Sequence, residues 1–275
     1  MTDSRRPQVP SFTLGTFNQK DSRALGRVVA EAVRLGGIGF DTAPGYGTQL
    51  TLGSAIRATG CDRSAVFVSD KVDGIQVQES AEGGKSIVRQ VLQVLAANRL
   101  AYYDAIYVHW PFLDYLDHAW AQLRELRDRG AARALGLCNV TPGHLTDLRD
   151  RGIIPDLVQN EVHPLCTDQE LTSYCTEHGI PLVAYTPTAR LSPPVAQSPA
   201  LARMSQQHGA SLTQVIHRWH IQRGRHVVFM TTKVGRVFEN THVDHFSLDE
   251  DDLRAIDQLN QNARMFLPSL GVTGY

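Results

Sequence analysis

The sequence has few cysteines and no long apolar run, and each scarcity excludes a class of protein. Its four cysteines, Cys61, Cys138, Cys166 and Cys175, lie far apart and form no CxxC pair, which argues against structural zinc and against a dense disulfide framework. No apolar run approaches the ~18 residues that a membrane helix needs. The N-terminal residues MTDSRRPQVPSF lack the apolar core of a secretory signal. We therefore expect no membrane segment and a reducing, cytoplasmic location.

An excess of charge of one sign is also missing. The chain has 27 Lys and Arg against 28 Asp and Glu, a formal net charge of −1. No broad basic surface for nucleic acid follows from this balance, although a local cationic pocket for a phosphorylated cofactor is compatible with it. With 42% hydrophobic residues, a chain of 275 residues can bury a large core. We expect a single domain over residues 1–275, acting as a monomer or a small homo-oligomer.

Short apolar runs alternate with helix-like stretches along the whole chain. The runs typical of buried strands are Phe12–Phe17, Gly39–Thr42, Ala65–Ser69, Ala105–His109, Ala134–Leu137, Leu157–Asn160, Leu182–Tyr185 and His226–Met230. Helical periodicity is found in Ser22–Leu35, Lys85–Leu100, Asp117–Arg129, Pro164–Gly179 and Asp249–Leu259, and Thr141 with Pro142 is typical of a helix start.

Eight strand and helix units in about 250 residues predict an α/β fold of the (β/α)8 barrel type. A doubly wound open sheet is the alternative, but no GxGxxG follows an early strand. Two stretches, Asp73–Gly84 and Thr186–Pro199, are predicted to be loops. Loops of that length in a compact domain often border a functional site.

Titratable residues stand at the carboxyl ends of three successive predicted strands, the active-site end of such a barrel. Asp41 ends the second strand, Lys71 follows the third and His109 ends the fourth, while Tyr46 lies in the loop after Asp41. A phenol has a pKa of about 10, and an adjacent ammonium lowers it. We expect Lys71 to make Tyr46 a better acid, Asp41 to hold the lysine, and a neutral His109 to orient a carbonyl. Each residue alone has an ordinary structural explanation; their joint placement favours a catalytic set.

Eight short segments extend this pattern over nearly the whole chain. They are LGTF (14–17), GFDTAPGYG (39–47), FVSDKV with its lysine (67–72), YVHWP (107–111), GLCNV (136–140), QNEVHP (159–164), AYTP (184–187) and RVFEN (236–240). In this order and spacing they resemble the successive motifs of the aldo-keto reductase superfamily. The resemblance implies a barrel that binds a nicotinamide cofactor without a Rossmann domain and transfers hydride to the carbonyl carbon of a small molecule, with Asp41, Tyr46, Lys71 and His109 as its catalytic tetrad.

The same resemblance assigns residues to each part of the cofactor. It implies that Asn139 and Gln159 hold the carboxamide and that Tyr185 stacks on the nicotinamide. The remaining matches are Thr186 and Pro187 in the pyrophosphate segment, and Thr231, Arg236, Glu239 and Asn240 at the adenosine-phosphate end.

Departures from the family pattern modify these expectations. Cys138 stands where the family often has serine, and Met230 stands where a lysine of a PKS motif commonly binds the 2′-phosphate. We therefore expect NADPH as cofactor, with NADH possible and the discrimination between them weakened. The short stretch after His109 predicts an open substrate pocket that suits a bulky carbonyl compound, lined by Trp110 and Phe112, with Phe266 and Tyr275 from the C-terminus.

Three other functions are compatible with parts of the sequence. Lys71 could be the amine of a Schiff-base lyase or aldolase. A metal-dependent barrel hydrolase is less supported, because the first strand, FTLGTF, has no pair of histidines. A barrel with a repurposed, non-redox role is the third, and the complete tetrad argues against it.

Overall fold

The computed structural model describes residues 8–266, apart from the side chain of Leu113. Its strands are β1 (Phe12–Gly15), β2 (Ile38–Asp41), β3 (Val68–Val72), β4 (Tyr103–Val108), β5 (Ala132–Cys138), β6 (Leu157–Glu161), β7 (Leu182–Tyr185) and β8 (His226–Phe229). All neighbouring pairs are parallel and follow chain order, and β8 pairs with β1 to close the barrel. The (β/α)8 barrel expected from the sequence is confirmed.

Twelve α-helices occur in the described residues. They are α1 (Ser22–Leu35), α2 (Gln49–Ala58), α3 (Gly74–Ala81), α4 (Ile87–Asn98), α5 (Leu116–Asp128), α6 (Pro142–Asp150), α7 (Gln169–Glu177), α8 (Pro193–Ala196), α9 (Pro199–His208), α10 (Leu212–Gln222), α11 (Gly235–Thr241) and α12 (Glu250–Asp257). Within residues 8–266, none of them has the length and apolarity required to span a bilayer.

Helix α1 shows how local sequence builds the outer layer. The Asp21 side chain accepts hydrogen bonds from the backbone N–H groups of Arg23 and Ala24, which satisfies donors left open at the helix start. The helix ends at Gly36, whose φ of 74° is readily adopted only by glycine. Its buried residues repeat every three or four positions and face the barrel: Ala24, Leu25, Val28, Val29 and Ala32.

The alternation of side chains along each strand separates the outer core from the barrel interior. The outer core joins strand residues such as Phe40 and Ile106 to helix residues such as Leu25 and Leu123. In the interior, a hydrogen bond from Gln159 of β6 reaches Asp41 of β2, two strands that are not neighbours. The interior also holds a small buried cluster of Ala105, Tyr107, Ala134, Cys138 and Leu157. Polar and apolar layers therefore share the barrel interior.

The predicted position of the third strand is wrong by three residues. A 3-10 turn at Arg63–Ala65, in which the Asp62 carboxylate accepts from the N–H of Ser64, occupies the start of the predicted run Ala65–Ser69. The strand instead covers Val68–Val72, so Lys71 lies within β3 rather than after it. The other seven strands match their predicted bounds to within two residues.

Both segments expected to be loops contain helix. In Asp73–Gly84 the chain forms α3, at whose start the N–H of Asp73 donates to the side chain of Gln76. In Thr186–Pro199 a 3-10 turn, Ala189–Leu191, precedes α8, whose first residues are prolines. Proline is tolerated in the first turn, where no N–H is needed. The helix predicted from Pro164 begins only at Gln169, because the backbones of His163 and Cys166 pair in a tight turn.

Candidate active site

A buried ion pair stands at the carboxyl ends of β2 and β3. The Nζ of Lys71 lies 2.5 Å from Oδ1 of Asp41 and donates a second hydrogen bond to the backbone oxygen of Thr42 at 3.1 Å. The other carboxylate oxygen of Asp41 accepts from Ser69 Oγ at 2.8 Å and from Gln159 Nε2 at 3.1 Å. Because both of its oxygens are bonded, the Asp41 carboxylate is held in one orientation. The ammonium of Lys71, bonded to it, is held there as well.

Tyr46 is brought to this ion pair by a 3-10 turn, Pro44–Tyr46, that directly follows β2. Lys71 Nζ lies 5.0 Å from the centre of the Tyr46 ring. The imidazole of His109 meets the same ring edge-to-face, with ring centres 5.7 Å apart. The structure therefore brings together all four residues of the expected tetrad at the carboxyl end of the barrel.

Lys71 lowers the pKa of Tyr46, as expected from the sequence, but burial of the phenol outweighs this effect. Burial raises the pKa of Tyr46 well above its ordinary value, and the nearby charge of Lys71 lowers it only in part. The negative charge of Asp41 raises the pKa of the phenol further. Tyr46 consequently keeps its proton across the physiological pH range.

The state of Lys71 bears on the Schiff-base alternative. Burial lowers the pKa of Lys71, but the attraction of Asp41 and Tyr46 more than offsets this, so the pKa is raised above its ordinary value. A Schiff base requires a neutral amine as nucleophile. An ammonium bonded to a buried carboxylate is unsuited to that chemistry, and the geometry favours an electrostatic role for Lys71.

Asp73 is a site residue that the sequence prediction missed. Its Oδ1 lies 2.5 Å from Nδ1 of His109, and its Oδ2 accepts the backbone N–H of Gly45 at 2.7 Å. Burial raises the pKa of Asp73. The hydrogen bond and the charge interaction with His109 lower this pKa by more, so it lies below its ordinary value. The sequence did contain a signal for Asp73. Ser69, Lys71 and Asp73 stand at every second position, and residues so spaced along a strand face the same side.

Two amide side chains and a tyrosine stand at the ends of β5, β6 and β7. The hydroxyl of Tyr185 donates to Oδ1 of Asn139 at 2.7 Å, and Nδ2 of Asn139 donates to the backbone oxygen of His109 at 2.8 Å. Gln159 is bonded to the tetrad through Asp41. Primary amides carry both the donor and the acceptor that a carboxamide requires. This donor set, beside an aromatic ring, fits a nicotinamide.

Cys138 lies between these groups and the barrel interior. Its Sγ is 3.9 Å from Oε1 of Gln159, and the residue is buried. Burial raises the pKa of the Cys138 thiol well above its ordinary value, which keeps it from acting as a thiolate nucleophile. All four cysteines fall in the part of the chain that the structure describes, and all are free thiols.

The residues matched to the outer part of the cofactor lie after β7 and β8, at the same end of the barrel. Thr186 has a φ of 52°, and the backbone oxygen of Pro187 accepts a hydrogen bond from His220. Thr231 is buried just beyond β8, and its backbone oxygen accepts from the side chain of Gln19 at 2.9 Å. These contacts hold the two segments on adjacent strands.

The end expected to bind the adenosine phosphate is formed by α11, which carries Arg236, Glu239 and Asn240. Asn240 is buried, whereas Arg236 is exposed together with Lys233 at the preceding turn. Met230 exposes 53% of its surface at the position expected for a lysine. Lys233 and Arg236 are thus two accessible cations in the segment that follows β8.

Four aromatic rings form an arc across the mouth of the barrel. Phe17 meets Tyr46 at 5.1 Å between ring centres, and Phe266 meets Phe17 at 6.4 Å and Tyr185 at 5.7 Å. Arg190 covers the Phe266 ring at 5.0 Å. Phe266 therefore lies between the proton-bearing and the cofactor-matching sides of the site, as a substrate-lining residue should.

The other residues expected in the substrate pocket lie beside His109. The rings of Trp110 and His109 are tilted against each other at 6.4 Å. Phe112 packs over Gly74, where a Cβ atom would come within 1.8 Å of the phenyl ring, so only glycine fits beneath it. Tyr275 lies outside the described residues.

Glu161, at the end of β6, holds the C-terminal residues in place. Its buried carboxylate accepts the backbone N–H of Met265 at 2.5 Å and of Phe266 at 3.1 Å, and a hydrogen bond joins Oε1 to Nε2 of His163 at 2.9 Å. The neighbouring Arg264 pairs with Asp168 at 3.1 Å. Glu161 and His163 thus have a structural task, and residues 8–266 contain no cluster of three or more side chains arranged to hold a metal ion.

We predict that Glu161→Gln releases this C-terminal segment. Glutamine has only one acceptor oxygen for two backbone N–H groups, so one is left without its partner, at a cost of about 1–3 kcal/mol. Trypsin should then cut after Arg264 several times faster than in the parent protein. Glu177→Gln, on the exposed end of α7, is the control. Equal cleavage rates in both variants would contradict the assignment.

The model of the family described as "Aldo/keto reductase family" matches residues 11–261, nearly the whole described chain. The chain belongs to the aldo/keto reductase family. As a member it is an NAD(P)H-dependent oxidoreductase that reduces carbonyl groups, in agreement with the expectation drawn from its motifs.

Similar proteins match this chain over about nine-tenths of their own length. The oxidoreductase YtbE of Bacillus subtilis is 32% identical over 263 residues, covering 94% of this aldo/keto reductase and 91% of the relative. The glyoxal reductase of the same organism is 30% identical over 259 residues, with the same coverage. A silkworm (Bombyx mori) aldo-keto reductase, solved in complex with NADPH, shares the fold with a TM-score of 0.87 at 21% identity, covering 96% of this chain and 88% of the silkworm chain.

Proposed function

We propose that this aldo/keto reductase reduces an aldehyde or a ketone to an alcohol with Tyr46 as the proton donor. The bound nicotinamide would supply the hydride. One observation supports the proposal most directly. Lys71 and His109 both contact the ring of Tyr46 at the mouth of the barrel. A single barrel domain would carry the whole site, within a monomer or small homo-oligomer in the cytoplasm.

The raised pKa keeps Tyr46 protonated, as a proton donor must be, although it also makes the phenol a weaker acid. A phenol that stays protonated is ready as a donor at any physiological pH. Reduction of a carbonyl leaves an alkoxide, which is a much stronger base than a phenolate. Proton transfer from Tyr46 to such an oxygen is therefore favourable, and Lys71 stabilises the phenolate that remains.

Amide, aromatic and cationic groups would hold the cofactor. Asn139 and Gln159 would bind the carboxamide and Tyr185 would pack on the nicotinamide ring. Thr186 and Pro187 would border the pyrophosphate, and the groups at the adenosine-phosphate end would be Thr231, Arg236, Glu239 and Asn240. The substrate would lie against Trp110, Phe112 and Phe266. A panel running from glyoxal, the substrate named for one Bacillus relative, to bulky ketones tests the proposal by consumption of NADPH. Absence of turnover with every member would overturn it.

For the cofactor we propose NADPH with weak discrimination against NADH. Arg236 and Lys233 provide cations for a 2′-phosphate, but Met230 provides none. We expect Met230→Lys to restore a charge-assisted hydrogen bond of roughly 1.5–3 kcal/mol, which tightens NADPH binding about tenfold to a hundredfold. NADH binding should stay unchanged, because NADH lacks the phosphate.

Titration of both cofactors against protein fluorescence measures this effect. Met230→Gln is the matched control, since it adds a polar side chain of similar length without a charge. A strong preference for NADPH in the unmodified protein, or an equal gain for NADH in Met230→Lys, would contradict the proposal.

A further inference from the structure

The contact between Asp73 and His109 determines which nitrogen of the imidazole carries a proton. Asp73 Oδ1 lies 2.5 Å from Nδ1 of His109, and a carboxylate of lowered pKa is ionised and only accepts hydrogen bonds. Nδ1 must therefore be the donor. Nε2 is then the imidazole nitrogen left to meet a substrate oxygen.

This assignment alters what a neutral His109 can do. A neutral imidazole has one N–H, and if Nδ1 holds it, Nε2 presents a lone pair. A lone pair repels a carbonyl oxygen instead of polarising it. The imidazolium, by contrast, has a proton on each nitrogen and donates from Nε2 while remaining bonded to the carboxylate. A neutral His109 with its proton on Nδ1 therefore has no N–H to offer the substrate from Nε2.

We infer that Asp73 is a positioning residue that keeps the Nδ1 proton on His109, so that His109 donates to the substrate oxygen only as an imidazolium. The inference rests on the proposed reduction. Asp73 thereby decides which nitrogen of His109 can donate to the substrate.

Other ionisable groups also lie near His109. They are Tyr46 from the turn after β2, and Lys71 of β3 with Asp41 of β2, which contact the Tyr46 ring or each other. Burial raises the pKa of Tyr46 well above its ordinary value, and the pKa of Lys71 is raised by its partners despite burial. Neither group loses its proton near neutral pH.

Gly45 makes the substitution Asp73→Asn informative. The backbone N–H of Gly45 donates to Asp73 Oδ2 at 2.7 Å and cannot become an acceptor. An asparagine must therefore place its amide oxygen toward Gly45 and its NH2 group toward His109. Nδ1 of His109 must then accept, which moves the proton of the neutral imidazole to Nε2. The variant converts His109 into a neutral donor without changing its size or place.

Nitrogen-15 NMR of the histidine side chains in the cofactor-free protein tests this directly. The chain has 11 histidines, and the His109 signal is identified by its loss in His109→Gln. At high pH we expect the Nδ1–H form of His109 in the unmodified protein and the Nε2–H form in Asp73→Asn. An Nε2–H form in the unmodified protein overturns the inference. That measurement does not depend on whether any variant folds. The same tautomer in both proteins also overturns it.

Steady-state reduction gives the functional consequence. We expect the kcat of Asp73→Asn to be about three- to tenfold below that of the unmodified protein, because a neutral donor bonds the substrate oxygen more weakly than a charged one. An equal kcat in the two proteins counts against the inference.

Asp114→Asn is the matched control, because it removes the same charge from an exposed position in the turn after His109. It should retain the parental kcat and the parental tautomer. The NMR result stands apart from turnover. If the tautomers are as expected but no carbonyl is reduced, the proposed function fails and the role of Asp73 in holding His109 survives.

Discussion

Tyr46→Phe should lower kcat by about a hundredfold to ten-thousandfold, the range over which a positioned acid contributes to a reaction. The substitution removes one oxygen and leaves the ring that packs between Phe17, His109 and Lys71. Hydride transfer would then leave an alkoxide without its neighbouring proton donor. Dissociation constants for NADPH should remain within about twofold, since the cofactor residues are untouched. Single-turnover kinetics and fluorescence titration measure the two effects separately.

Tyr102→Phe is the control for the loss of a phenol hydroxyl. Tyr102 lies just before β4, at the opposite end of that strand from His109, where Arg63 and Arg133 stack on its ring at 4.1 and 3.7 Å. This variant should turn over as the parent does. Tyr46→Phe with undiminished kcat would refute the assignment of the proton donor, while the barrel and its family membership would be unaffected.

The tetrad was predictable because its residues stand at the ends of strands whose order along the chain is also their order around the barrel. Asp41 was placed correctly at the end of β2. The predicted bounds of β3 were wrong by three residues, but the predicted position of Lys71 at the carboxyl end of the barrel was not affected. A shift of three residues along one strand leaves Lys71 at the same end of the barrel. Neighbouring parallel strands thus make the local sequence order informative about three-dimensional proximity.

Asp73 and the pKa of Tyr46 were harder to predict, for different physical reasons. Asp73 was taken as the first residue of a loop, but it faces His109 because it continues the alternation of β3 before α3 begins. The shift of Tyr46 depends on how much water the fold removes around the phenol, and sequence spacing does not contain that quantity. The charge of Lys71 was visible in the sequence, whereas the desolvation that outweighs it was not.

The C-terminal contacts show a similar limit. The pairing of Glu161 with the N–H groups of Met265 and Phe266 joins residues more than one hundred positions apart. No periodicity or motif links these two segments. Glu161 in isolation was compatible with metal binding or with a structural role, and only the folded chain shows its two backbone partners.

Lys71→Met should be the most destabilising of the substitutions considered. Lys71 is 1% exposed and Asp41 is 2% exposed, so removing the cation leaves a carboxylate in the interior without its counter-charge. Breaking a buried ion pair in this way costs about 3–5 kcal/mol. For a chain of this size we expect Tm to fall by roughly 10 °C in thermal unfolding. The kcat should also fall at least about a hundredfold, because the phenolate of Tyr46 loses its stabilising charge.

The double variant Asp41→Asn/Lys71→Met separates stability from catalysis. With both charges gone, neither member of this pair is left as an unpaired buried ion, and the asparagine can keep one hydrogen bond with Ser69 or Gln159. Replacing both members of a buried pair is often neutral for stability, so Tm should recover most of its loss while kcat stays low. Recovery of kcat along with Tm would show that Lys71 acts only by holding the fold, and the electrostatic role assigned to it beside Tyr46 would be wrong.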